Sequence, residues 1–192
     1  VARSIDIEDR RRVVSEAACR VLAEDGLGAL SVRNVSAAAG LPPSTVRYVF
    51  PTQASMREHT ITLVFDRMCE RIEALPADLP APKRARRIVV ELLPLDAERV
   101  IELDVYLALG NAALTDAALR PTLDGVVGQV RAWCEEALGL LGVPPRDHEY
   151  EARRLHALLD GLAMQVVRLA PGESGVWAID VVDRHLTELA PA

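Results

Sequence analysis

Along most of this chain apolar residues recur every three to four positions, the spacing that keeps them on one face of a helix. The first such stretch runs from Ile7 to Asp25, with Val14, Ala17, Ala18, Val21 and Leu22 in phase, Asp6 placed to cap it and Gly26 to stop it. Ser31 is a good N-cap for a short second helix through Ala39, in which Val32 and Val35 share a face before Gly40 closes it. Pro43 opens a third helix, ending at Val49, at the position where its missing N–H costs nothing. Thr52 can cap a long fourth helix carrying Met56, Leu63, Val64, Met68 and Ile72 as far as Leu75.

Prolines at 76, 80, 82, 94, 121, 144, 145 and 171 separate the remainder into helix-length stretches. The pattern places helices near Lys83–Leu93, Leu95–Leu114, Pro121–Leu141, Arg146–Ala170 and Gly175–Ala190. Leu155, Leu158, Leu159, Leu162, Val166, Val167 and Leu169 form a stripe broader than a half-buried helix needs. Val176, Trp177, Ile179, Val182, Leu186 and Leu189 follow on the last helix. Composition agrees with an all-α fold of about nine helices, since Ala, Leu and Val dominate and aromatics make up only 4% of the chain.

Two short helices meeting at a glycine turn behind a longer one have the layout of a helix-turn-helix, in which the second short helix enters the major groove. That helix is Pro43–Val49. Ser44, Thr45 and Tyr48 can reach phosphates, base edges or thymine methyls, Arg47 adds the strongest donor, and Val46 and Phe50 can face inward. The net charge is −6, but residues 1–57 hold eight Arg against six carboxylates, and Gly26–Arg57 contains Arg33, Arg47 and Arg57 with no carboxylate. Such a surface suits an approach to phosphates.

Other chemistries find little support. Cys19, Cys69 and Cys134 are far apart, with no CxxC pair and no histidine at metal-ligand spacing, and read as reduced core residues; no metal and no cofactor is expected. His156 and Asp160 share a helical face but lack an accompanying nucleophile, and no phosphate-binding glycine loop is present, so no enzyme is expected. Uninterrupted apolar runs of about 18 residues are missing, and Asp6, Glu8 and Asp9 stand where a signal peptide would be apolar. The expectation is a cytoplasmic protein with no membrane partner.

The stretch Leu30-Ser31-Val32-Arg33-Asn34-Val35-Ser36-Ala37-Ala38-Ala39-Gly40-Leu41, followed by Val46–Phe50 and Met56, resembles the N-terminal signature of the tetracycline-repressor (TetR) family. Leu92-Leu93-Pro94-Leu95-Asp96 is similar to the betaine-regulator branch of that family. The resemblance implies a helix-turn-helix DNA-binding domain over residues 1–51 and a ligand-binding, dimerising domain over 52–192. It also implies a homodimer on a pseudo-palindromic double-stranded operator. Ser31 caps the second helix, Ala39-Gly40-Leu41 makes the turn and Phe50 closes the recognition helix in that pattern. The DNA-contact set is then Ser31, Arg33, Ser44, Thr45, Arg47, Tyr48, Thr52 and Gln53.

Three departures stand out. Pro42 replaces the serine that commonly caps the third helix, Arg47 and Val49 replace aromatics, and Gln53 replaces a lysine, which implies a weaker salt dependence of DNA binding. These losses motivate a second reading, an all-helical ligand-binding or scaffolding dimer that no longer binds DNA.

The family binds small molecules among its middle helices, and the ligand shifts the fourth helix so that the recognition helices lose their spacing of about 34 to 36 Å. Met68, Tyr106, Asn111, Trp133, Met164 and Gln165 are polar or bulky groups within apolar stretches and form the expected ligand set. Little charge among them implies a small apolar effector. In the family the last two long helices build a four-helix dimer bundle, which points to Leu155, Leu158, Leu162, Val166 and Trp177 as the interface, with Ala157 and Gly161 allowing close approach.

Overall fold

Local sequence signals resolve into nine α-helices in the computed structural model, which describes residues 2–170 and 172–190 without the side chains of residues 2–7 and Leu27. They are α1 (Ala2–Asp25), α2 (Val32–Ala39), α3 (Pro43–Val49), α4 (Gln53–Glu73), α5 (Ala81–Glu91), α6 (Ala97–Ala113), α7 (Arg120–Leu140), α8 (His148–Val166) and α9 (Trp177–Leu189). Single 3₁₀ turns lie at Leu27–Ala29, Ala117–Leu119 and Pro145–Asp147, and the described residues form no strand. The all-α expectation holds. One start differs: α1 begins at Ala2, so the Asp6 backbone lies inside the helix. Nothing from Ala2 to Asp6 is Gly or Pro, so the helix propagates past the expected cap.

By packing, the chain forms two compact units, Val1–Arg67 with Asp104–Leu123, and Met68–Leu103 with Asp124–Ala192. In the first, Val14, Ala17, Ala18 and Val21 of α1 meet Leu30, Val35, Val46, Val49, Phe50 and Met56 in one buried cluster. Burying a side chain such as Val46 is worth about 1.5 to 3 kcal/mol, which a seven-residue helix needs because it is too short to persist alone. Phe50 is sealed from the far side. The His59 ring lies 5.1 Å from its centroid, and the Arg11 guanidinium sits 6.0 Å over its face.

In the second unit, Ala85 and Val89 of α5, Cys134, Ala137 and Leu138 of α7, Leu155, Leu159, Leu162 and Val166 of α8, and Ala178, Val182 and Leu186 of α9 form the core. Leu155, Leu162 and Val166, expected at the dimer interface, lie in this core. They are buried within their own chain, at 0%, 4% and 8% exposure. A broad apolar stripe identifies a buried helix without saying what buries it. Leu158 and Trp177 are half-buried at the margin of this core, while Ala157, Gly161 and Val181 are exposed.

An ion-pair cluster joins the end of α4 to α5 and α6. Arg71 donates two hydrogen bonds to Glu102, at 2.6 and 2.7 Å, and lies 3.5 Å from Glu91, which Arg99 also approaches at 3.6 Å. The hydrogen bonds it donates to Glu102 push the Arg71 pKa up, while burial raises that of Glu102 despite its partner. The bidentate geometry is what makes a carboxylate this buried tolerable.

Two measurements follow from this packing. Leu155→Ala is expected to lower stability by about 2 to 5 kcal/mol in denaturant unfolding, since it opens a cavity in the core; a cost near zero would mean that Leu155 is not a core residue. Burial, and then the Arg11 guanidinium, lower the His59 pKa. The unfolded chain therefore binds a proton here before the folded one does, and stability falls as pH drops below about 6.5. The melting temperature of the wild type should fall more steeply from about pH 7 to pH 5.5 than that of His59→Phe. Equal slopes would exclude the effect.

Candidate nucleic-acid interface

The turn before α3 is fixed by backbone geometry. Gly40 adopts φ +64°, a left-handed conformation that L side chains avoid, and its N–H bonds the Ala37 carbonyl while the Leu41 N–H bonds that of Ser36. Together these form the paired closure that ends many helices on glycine. At the other end of α2, Ser31 Oγ accepts the Asn34 N–H at 3.3 Å, the capping role its position implied. Asn34 Nδ2 donates to the Ala29 carbonyl at 2.8 Å, and Arg20 of α1 donates to that of Ala38 at 3.0 Å, tying α2 down at both ends.

Helix α3 has no side-chain cap. Pro43 at its first turn has no N–H to satisfy, and the Thr45 N–H reaches the Pro42 carbonyl at 2.9 Å, so the departure from the serine pattern leaves the helix intact. Val46, Val49 and Phe50 point inward at 0%, 6% and 4% exposure. Helical geometry then turns Ser44, Arg47 and Tyr48 together to the opposite face, where all three are exposed, Tyr48 at 61%. Thr45 is half-buried.

Two expected contact residues have work inside the chain. Thr52 Oγ1 accepts the Ser55 N–H at 3.0 Å and the Ser55 hydroxyl donates to the Thr52 carbonyl at 2.9 Å, which starts α4. Gln53 Nε2 donates to the Leu30 carbonyl at 2.8 Å, so its amide group bridges the start of α4 to the segment before α2. Arg33 on α2 is exposed. Neither Arg33 nor Arg47 makes an ion pair among the described residues, and the Arg57 Nε is buried without a hydrogen-bond partner. Sequence inspection missed Arg11, Arg20, Asn34 and His59, which position the motif; their partners lie on other helices or turns and leave no local signal.

The expected ligand residues do not all belong to one compact unit. Tyr106 and Asn111 lie in the first, and Met68, Trp133, Met164 and Gln165 in the second. Trp133 and Met68 are buried, at 5% and 6% exposure, and Met164 and Tyr106 are half-buried. Asn111 and Gln165 are exposed, which does not fit the expectation of polar groups enclosed by apolar ones. An open groove of about 440 Å³ in the second unit is lined by Pro82, Arg86, Leu141, Asp183, Leu186, Thr187 and Ala190, none of them in that set.

Burial pushes the Cys134 thiol up to about 12 and raises that of Cys19, so both stay protonated at neutral pH. His156 Nε2 lies 3.7 Å from Asp160, and burial lowers the histidine's pKa. No group of three metal-ligating side chains comes together, and no helix is long and apolar enough to cross a membrane, among the described residues.

Residues 81–191 match the family described as the BetI-type transcriptional repressor, C-terminal. The chain is 31% identical to the HTH-type transcriptional regulator PksA of Bacillus subtilis (strain 168) over 170 residues, spanning 86% of this chain and 82% of that protein. Among solved structures, it superposes on a transcriptional regulator from Rhodococcus sp. Rha1 with a TM-score of 0.81 at 23% identity, covering 93% of this chain and 95% of the other. It superposes on the multidrug binding protein EbrR, complexed with imidazole, with a TM-score of 0.65 at 28% identity, covering 96% and 91%. The helix-turn-helix geometry, the matched C-terminal family and the likeness to PksA over most of both chains place this chain in the TetR family of transcriptional regulators, in its BetI-type branch.

Proposed function

We propose that the protein is a repressor that binds a pseudo-palindromic operator as a homodimer and leaves it when a small molecule occupies the C-terminal region. Residues 1–51 carry the DNA contact and 52–192 the ligand and dimer functions. The observation that carries this reading is the outward face of α3: Ser44, Arg47 and Tyr48 stand exposed together, in a window with three arginines and no carboxylate. Ser31 caps α2, Thr52 starts α4, and Gln53 ties α4 to the segment before α2, while Arg33 on α2 and Thr45 on α3 complete the expected contact set.

Release requires that the ligand bind the DNA-free arrangement better than the DNA-bound one. EbrR is a multidrug binding protein solved with imidazole, which supports a small-molecule site in this chain's helical body. Met68, Trp133 and Met164 are its apolar candidates, and α4 contributes residues to both compact units, a route for the response. The outward faces of α8 and α9, with Ala157, Leu158, Gly161 and Trp177, serve the dimer.

Fluorescence anisotropy on the duplex upstream of the protein's own gene tests the DNA-binding reading. Tight, saturable binding is expected, and Arg47→Ala with Tyr48→Ala should weaken it by at least about tenfold without loss of helicity or dimerisation. Failure of the wild type to bind this duplex or any genomic palindrome at low salt would instead favour a ligand-binding dimer that has lost DNA binding.

A further inference from the structure

We infer that Arg47 reads a guanine in the major groove, so that each operator half-site carries a G·C pair on which sequence recognition turns. This deepens the DNA-binding reading and rests on it. Each base pair shows the major groove its own set of donors and acceptors, and few side chains match a set with two bonds at once: Arg or Lys on the O6 and N7 of guanine, Asn or Gln on adenine, with Asp or Glu accepting from cytosine N4. Helix α3 reads Pro-Ser-Thr-Val-Arg-Tyr-Val and contains no Asn, Gln, Asp, Glu or Lys. Its one side chain able to make a two-bond contact to a base edge is Arg47. Ser44 offers one rotatable hydroxyl that suits several bases, and the Tyr48 ring offers apolar surface for a thymine methyl.

The residue inventory of α3 favours a base over a phosphate for this guanidinium. Arg47 lies on the exposed face opposite Val46 and Val49, in the last turn of α3, one turn beyond Ser44 and beside Tyr48. Its fork is free of ion pairs among the described residues, so no internal bond has to break before it can reach a base. Arg33 is equally free but stands on α2, the helix that crosses the phosphate backbone in this motif. The two arginines thus divide the work: Arg33 holds phosphate and Arg47 selects sequence.

Selection of bound duplexes from a library with a randomised palindromic centre tests the division, using wild type, Arg47→Ala and Arg33→Ala at one salt concentration. Both side chains are exposed, so an unchanged melting temperature certifies each fold. The wild type should enrich a G·C pair at one position of each half-site. Arg47→Ala should lose that preference, a change of about 5- to 150-fold in discrimination, and leave the other positions in place. Arg33→Ala should weaken all sequences evenly and reduce the salt slope by about one. In the selected site, 7-deazaguanine at the preferred position removes the N7 acceptor; it should weaken the wild type but not Arg47→Ala.

A consensus that survives Arg47→Ala unchanged, with affinity lowered evenly, or indifference of the wild type to 7-deazaguanine, would overturn guanine readout and leave DNA binding standing. A wild type that binds no member of the library would overturn both.

Discussion

The helix that matters most in this protein is the one least able to stand alone. Seven residues make two turns, and two turns in water do not hold. What fixes α3 is the burial of Val46, Val49 and Phe50 against Val14, Ala17, Ala18 and Val21 of α1, with Val35 of α2 closing the cluster. The small side chains of Ala17 and Ala18 let the helices approach, and the Gly40 turn delivers α3 at the required angle. Because α-helical geometry ties the inward trio to the outward one, the same packing that stabilises α3 also aims Ser44, Arg47 and Tyr48 away from the protein. A DNA-facing surface is in this sense a consequence of a hydrophobic one.

The second unit solves a different problem. Its four principal core helices bury a wide apolar stripe of α8, and the end of α4 is bound in by charge. Arg71 gathers Glu102 and Glu91 around one planar guanidinium, and the bidentate bond to Glu102 offsets part of the cost of burying that carboxylate. Apolar packing has broad tolerance for small shifts, whereas a two-bond ion pair has a defined geometry. The last turn of α4 is therefore held in a more specific position than packing alone would give.

Short-range signals were readable from the chain, and long-range ones were not. Ser31, Gly40, Pro43 and Thr52 act within three or four residues of themselves, so their caps and turns could be placed in advance. The helices of the C-terminal half were located to within a few residues by periodicity and proline. Periodicity was silent on which body covers an apolar face, which is why the core position of Leu155, Leu162 and Val166 was not legible from it. Arg71 and Glu102 are 31 positions apart, and the Gln53 amide bonds a carbonyl 23 positions away. No local pattern announces such pairs, and the exposure of Asn111 and Gln165 was hidden for the same reason, since it depends on neighbours distant in sequence.

The central claim is that the outward face of α3 is what meets DNA. Hydrogen–deuterium exchange of the free protein and of its complex with a bound duplex tests this without altering a residue. The account predicts added protection in Ser44–Val49, with a smaller gain in Val32–Ala39. Protection that leaves Ser44–Val49 unchanged while it rises elsewhere would contradict it.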